Sequence, residues 1–307
     1  MAANTVATRA STGVDELLFQ NDSVSLCLLV NRRHATVRVI DFRAGPTVAK
    51  RNFVLAAAKR ERCEKIFTLV ERDEVATWTR LGFTREGSIP AFYKRSDAWI
   101  LGAVVADMRP LTVDPTLGAD DDDDLTPAGP STSVTTAERT IARAKRLAKA
   151  PEKTLPKVAL AKATAAEVKR ALVAADKRGT LLTGFEPFGR DVAPRPAFAL
   201  TARGGFTLLA SWEAQPAFSN ALFELHAAPE TEAERVATIA SVRVVEARLA
   251  AEGMTSLFTL APSDDVTMTS VFVACGYRRS AVLASHLAVG GARKDAIVWS
   301  KKFDQEN

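Results

Sequence analysis

Residues 222–239, LFELHAAPETEAERVATI, read as a strand running into a helix, the kind of junction at which some enzymes hold the pyrophosphate of a cofactor. The free N–H groups of a helix N-terminus attract anions, and glycines there let a phosphate approach the backbone closely. No glycine stands at this junction. Thr231 with Glu234 instead forms a capping-box pattern, so the stretch is either a self-satisfied helix start or a poor phosphate cradle. Other reactive side chains are few. The three histidines lack metal-ligand spacing, so no metal site is expected. Cys27, Cys63 and Cys275 are far apart in apolar or helical contexts, which predicts buried thiols in a reducing, cytoplasmic compartment.

The elements that must position such groups come from a chain of 307 residues, long enough for two domains. Net charge is +5, with 41 basic and 36 acidic residues nearly balanced, which argues against a continuous nucleic-acid surface. The N-terminus has no apolar signal-peptide core, and no run reaches the roughly 18 apolar residues of a membrane helix, so no membrane partner is expected. Residues 107–155 divide the chain. They carry a Pro-, Gly- and Ser-rich tract with the run Asp120–Asp124, then the helix former TTAERTIARAKRLAKA with a cationic face (Arg139, Arg143, Lys145, Arg146, Lys149). The tract predicts a disordered linker and the helix a solvated or charge-paired segment.

Two stretches repeat one pattern. KIFTLVERDEVATWTRLGFTREGSIPAFYKRSDAWILGAVV in the first half matches SLFTLAPSDDVTMTSVFVACGYRRSAVLASHLAVGGARKDAIVWSKKF in the second. Each reads as a buried strand, a short helix opened by acidic residues, a stop at Gly82-Phe83 or Gly276-Tyr277, and a hairpin closing at Asp97-Ala98 or Asp295-Ala296. A helix precedes each copy (47–62 and 231–252), and a strand precedes each helix (35–42 and 220–226). The expectation is an α/β fold made of the same unit twice.

This order resembles the C-terminal two thirds of the GNAT acetyltransferase fold. The whole chain is similar to the beta-lysine N-acetyltransferase family, which joins a shortened GNAT-like half with an IPGFY…DA ending to a complete GNAT domain. The resemblance implies two GNAT-like domains, mixed sheets flanked by helices, with this division: 1–19 a flexible N-terminus, 20–106 the shortened domain, 107–155 the linker and 156–303 the complete domain. It further implies transfer of an acyl group from acetyl-CoA to a small-molecule amine such as beta-lysine. Aligned to the family's R-G-K-G loop are Glu232, Ala233, Glu234 and Arg235, which places Thr231, Ala233, Arg235 and Val236 at the cofactor, with Thr269 replacing a family Asn on the short helix. The first-half loop, DFRAGPTVAKRN, offers Gly45 and three cations but also Pro46, which removes a donor.

Acetyl transfer needs a base for the ammonium and a donor for the leaving thiolate. The resemblance points to Glu224, beside a family Asp on the splayed strand, as base. It points to His286 with Ser285, where the family has paired asparagines, as substrate contacts, and to Tyr93 as a proton donor. The open alternatives are a solvent-facing strand residue, an exposed hairpin histidine and a packing tyrosine. Residues 181–200, LLTGFEPFGRDVAPRPAFAL, resemble the opening of pyroglutamyl peptidases, whose downstream Cys motif this sequence lacks; the simpler reading is a loop with Phe185 and Phe188 as apolar plugs. Two functions stay open: an N-acyltransferase, and a catalytically idle tandem scaffold that holds a protein partner through its cleft or linker.

Overall fold

The computed structural model describes residues 6–8, 13–20, 25–41, 47–110, 132–148, 155–189 and 195–303. The first half contains β1 (Val6–Thr8), β2 (Val14–Gln20), β3 (Ser25–Asn31), β4 (Thr36–Asp41), α1 (Val48–Arg60), β5 (Lys65–Val70), α2 (Val75–Arg80), β6 (Thr84–Ile89) and β7 (Ala98–Val104). After α3 (Thr132–Leu147), the second half follows with β8 (Val158–Lys162), α4 (Ala165–Lys177), β9 (Ala197–Ala202), β10 (Thr207–Gln215), β11 (Asn220–Leu225), α5 (Glu232–Ala251), β12 (Ser256–Pro262), α6 (Val266–Ala274), β13 (Arg278–Val289) and β14 (Ala292–Lys302).

All fourteen strands form one sheet, in the order β1-β2-β3-β4-β5-β7-β6-β13-β14-β12-β11-β10-β9-β8. The run β3-β4-β5-β7-β6 reappears in reverse as β13-β14-β12-β11-β10, so the repeat seen in the sequence is a repeat of topology. Within each unit a single pair is parallel, β4 with β5 and β11 with β12. A helix crossover joins each parallel pair, α1 in the first unit and α5 in the second, as a parallel connection requires. The first unit is the shorter: β1 and β2 pair directly, whereas α4 lies between β8 and β9.

The repeated signatures have local physical causes. Gly82 and Gly276 take φ +81° and +82° after α2 and α6. In each case the next residue's N–H returns to the helix, Phe83 to the Trp78 carbonyl and Tyr277 to that of Phe272, closing a left-handed C-terminal motif that only glycine enters without strain. The D-A endings brace the hairpins. Asp97 accepts the Ala91 N–H at 2.8 Å and Asp295 the Ser285 N–H at 2.7 Å, so each carboxylate ties the start of one hairpin strand to the chain entering from the other.

The halves join at their last strands. β6 and β13 pair only at Gly87 and Ala281, where a Cβ on Gly87, with φ +142°, would lie 2.4 Å from the Ala281 Cβ. Around this junction Ile89, Phe92 and Ile100 of the first half share one apolar core with Leu222, Phe258, Leu283 and Val298 of the second. Hydrogen bonds cross it as well, from Asn220 Nδ2 to the Phe92 carbonyl at 2.6 Å and from the Ala288 N–H to His34 Nδ1 at 3.1 Å.

Two expectations change here. Residues 14–19, read as part of a flexible terminus, belong to β2, whose Val14 and Leu17 are buried. The helix of the connecting stretch is not a freely solvated rod: Ala137, Thr140 and Ala144 are buried against α6 and β13, with Val134 and Ile141 on the second-half core. Its cations Arg139, Arg143, Lys145 and Arg146 remain on the exposed side, the amphipathic stripe having decided which face docks. The Asp120–Asp124 run lies outside the described residues. No helix among the described residues is long and apolar enough to cross a membrane. The three cysteines are buried, and none is in a disulfide.

Candidate active site

β11 and β12 pair only from Asn220↔Ser256 to Leu222↔Phe258, although β11 runs on to Leu225 and β12 to Pro262. Beyond Leu222 the two strands part, and Glu224 stands on the parted segment. A cavity of about 70 Å³ opens there between the two halves. Its wall takes Glu224 and Leu260 from the parted strands, Arg38 and Phe67 from the first half, His286 from β13, and Thr183, Glu186 and Phe188 from the loop before β9.

Glu224 is held on both oxygens. Oε1 accepts the Thr183 hydroxyl at 3.1 Å and Oε2 pairs with Arg195 Nη2 at 2.5 Å. Burial pushes its carboxyl above the usual range, with Arg195 acting against that shift. Thr183 has a second acceptor, Glu186 Oε2, at 3.3 Å, and its one hydroxyl hydrogen serves only one carboxylate at a time. Glu186 also accepts the Gly184 N–H at 3.1 Å, and Thr183 Oγ1 accepts that of Phe185, which sits at φ +64°. Residues 183–188 therefore form a tight, left-handed turn whose polar atoms face the cavity and whose apolar Phe188 packs on Phe258.

His286 is buried, its ring edge-on to Phe67 at 4.7 Å between centroids, and Nδ1 has no partner. Burial first, then the Lys65, His34 and Arg293 charges, holds it well below the usual imidazole range, so it is neutral at physiological pH. The exposed-hairpin alternative for this histidine therefore fails. It reaches the interior because β13 bulges between Leu283 and Leu287, with Ser285 at φ +48°. The Ser285 N–H is fixed on Asp295, and its side chain is not part of the cavity wall.

Tyr93 is outside the cavity wall, although it lies near enough to Arg38 for the two groups to act on each other electrostatically. Its hydroxyl donates to the Leu69 carbonyl at 3.2 Å, and its ring packs on Phe92 and Phe218, which is the packing role. Thr269 is fully buried in α6 with an unpartnered Oγ1, so it presents no surface to a bound molecule.

At the start of α5 the helix end is already occupied by its own side chains. Thr231 Oγ1 accepts the Glu234 N–H at 3.2 Å, while the Glu234 carboxylate reaches back to the Glu230 N–H at 2.7 Å, one residue beyond the capping-box partner. Glu232 grips Arg235 through two bonds of 2.7 and 2.5 Å. That pair lowers the Glu232 carboxyl and raises Arg235. Arg235 is buried and Val236 half-buried; Ala233 is exposed and Glu232 keeps 69% of its side chain in solvent. As it stands this end does not fit a pyrophosphate.

The sequence had not marked Arg38, Arg195, Glu186 or Thr183. Nothing in TVRVID marks Arg38: alternation puts it on the face opposite the buried Val37 and Val39, where a strand ordinarily carries polar residues to solvent, and only the second half covers that face. No group of His, Cys, Asp and Glu side chains able to hold a metal occurs among the described residues.

No family model and no curated protein matches the sequence. Among solved structures, the chain is similar to a point mutant of the spermidine N-acetyltransferase from Vibrio cholerae, with 14% identity, a TM-score of 0.38, and coverage of 47% of this chain and 93% of that one. It is similar to the ribosomal-protein-alanine N-acetyltransferase from Brucella melitensis, with 10% identity, a TM-score of 0.35, and coverage of 47% and 99%. An N-acetyltransferase from Staphylococcus aureus gives 9% identity, a TM-score of 0.35, and coverage of 48% and 98%.

Proposed function

We propose that the protein is a GNAT-type N-acyltransferase for a small amine such as beta-lysine, with Glu224 as the base. The observation that carries this reading is the parting of β11 from β12 with a half-buried, raised carboxyl beside the gap. The parted edges leave backbone donors and acceptors that an extended, amide-bearing chain such as the pantetheine arm of acetyl-CoA can meet. An ammonium entering beside Glu224 gives up a proton to it, and a raised carboxyl is better matched to that transfer than an ordinary one. Arg195 must release Glu224 for the exchange, and Thr183 keeps the carboxylate oriented meanwhile.

One observation favours the second reading, an idle tandem scaffold. The α5 end is filled by Glu232 and Glu234, and an acyl-CoA pyrophosphate would have to displace Glu232 from Arg235. Calorimetric titration with acetyl-CoA tests both. Replacing Glu232 with Gly and Glu234 with Lys frees Arg235 and removes two like charges, and should tighten acetyl-CoA binding about tenfold or more. An unchanged dissociation constant would move the donor site away from α5, and no heat from either protein up to millimolar ligand would leave the scaffold reading. If transfer occurs, Glu224→Gln should slow it about a hundredfold near neutral pH, with the deficit narrowing as alkali deprotonates the amine unaided. A deficit constant across pH would assign Glu224 to structure instead.

A further inference from the structure

Away from the candidate active site, a groove of about 670 Å³ runs along the seam between the halves. It opens because β6 pairs with β13 at Gly87 and Ala281 alone and leaves the start of β13 uncovered. Ser88 and Pro90 of the first half form one side, and the first residues of β12 and β13 with the last of β14 form the other. The groove meets β12 at its first residue, Ser256, whereas the cavity beside Glu224 meets it further on, at Leu260.

The strand register sorts the charges around this groove. Arg278 stands opposite Ser300 and Lys302 opposite Ser256, and residues paired in this way share a face of the sheet. Ser300 and Lys302 are two apart on β14, so all four lie on one face. Alternation sends the intervening Arg279 and Lys301 towards the helices, where Glu138 meets Arg279 at 3.5 Å and Glu246 meets Lys301 at 2.9 Å. Those two charges are answered on the helix side. Arg278 and Lys302 are exposed and form no ion pair among the described residues, none of which brings a carboxylate into the groove wall. The same wall carries hydroxyls. Ser280 donates to the Val298 carbonyl at 3.2 Å, but Ser88, Ser256 and Ser300 make no side-chain hydrogen bond among the described residues. Ser256 is only 7% exposed and lines the groove, so a partner for its hydroxyl must come from there.

We propose that this groove binds the diphosphate group of a small molecule, with Arg278 and Lys302 as its counter-ions and the hydroxyls of Ser88, Ser256 and Ser300 as donors. A cleft lined by one sign of charge concentrates ions of the other. Phosphoryl oxygens suit this donor set: a guanidinium meets two of them at once, an ammonium acts as a point charge, and hydroxyls fill the remaining lone pairs. The volume is that of an ordinary small-molecule site and leaves room for whatever the diphosphate is attached to. The groove shares no residue with the cavity beside Glu224 or with the start of α5, so it stands whether or not the protein transfers acyl groups.

The test is calorimetric titration of the full chain, without acyl-CoA or divalent metal, with pyrophosphate, orthophosphate and ADP as probes. Pyrophosphate should bind saturably, and orthophosphate, which reaches only one of the two counter-ions, at least about tenfold more weakly. ADP binding more tightly than pyrophosphate identifies a nucleoside-borne diphosphate, and equal binding a diphosphate recognised alone; both support the site. Arg278→Met and Lys302→Met alter exposed side chains and leave the core intact, and each should weaken pyrophosphate about tenfold. Ser256→Ala should weaken it about threefold to tenfold. Arg139→Met removes an exposed charge from α3, outside the groove, and should change binding less than about twofold. No heat from pyrophosphate up to millimolar concentration, orthophosphate binding as tightly, or equal losses in Arg139→Met and Arg278→Met overturns the proposal.

Discussion

Between about pH 6.5 and pH 5 the protein should lose several kcal/mol of stability, because its three histidines are buried and neutral. His34 and His226 are held down to about 3 and about 4, chiefly by burial, and His286 lies well below the usual range for the same reason. Two of them are also committed as acceptors. Nδ1 of His226 receives the Leu209 N–H at 3.0 Å, and Nδ1 of His34 receives that of Ala288 at 3.1 Å. Protonation would set an N–H against an N–H. The sign follows from proton counting: below about pH 6.5 the unfolded chain binds protons that the folded chain refuses, so stability is complete above that value and falls with pH. Each histidine contributes up to about 1.4 kcal/mol per pH unit, or about 6 kcal/mol for the three over this interval. The raised carboxyls Glu86, Glu224, Glu246 and Asp265 run the other way and offset part of it. Urea unfolding at several pH values measures the slope. A midpoint that is flat or rises on acidification would overturn the expectation that the histidines outweigh the raised carboxyls.

The second large effect lies at Lys65 and Glu86. Lys65 Nζ and Glu86 Oε1 form an ion pair with side chains 1% and 7% exposed. Burial lowers the amine and raises the carboxyl, each partner partly restoring the other. The pair occupies room that a side chain would need. A Cβ on Gly102, in the middle of β7, would lie 2.2 Å from Glu86 Oε2 and 2.6 Å from Lys65 Nζ. Glu86 also accepts the Ala284 N–H at 3.0 Å, fastening the first half to the bulge that carries His286. Lys65→Met leaves a buried carboxylate alone and should cost about 3–5 kcal/mol. Adding Glu86→Gln removes the charge while retaining an acceptor for Ala284, and should recover most of that loss. Thermal unfolding of the single and double variants distinguishes the outcomes. Equal destabilisation in both would mean that packing, and not the unpaired charge, sets the cost.

What the sequence determined by itself is the content of the repeat, because each of its signals acts over a few residues. The glycine stops at Gly82 and Gly276 need only a left-handed residue after a helix. The Thr231 cap needs a hydroxyl three residues before Glu234, and the D-A endings need a carboxylate beside a hairpin. Strand alternation then fixes which faces are apolar, and hence the α/β unit and its duplication. Glu224 and His286 could be placed on their strands in this way, but not where their side chains would point. Only the tertiary structure decided that. The halves are joined by one strand pair at Gly87 and Ala281, and no periodicity in the sequence announces a contact that depends on a missing Cβ. The cavity is built from pairs as distant as Arg38 with Phe188 and His34 with Ala288, 150 and 254 residues apart. Contacts of that separation arise from how the two halves meet along one continuous sheet, a sum of many weak packing terms that leaves no local pattern. The same holds for the α5 end. The sequence showed carboxylates where phosphate was expected, and the fold decided that one of them, Glu232, would turn onto a buried Arg235 and close the site with the protein's own charge.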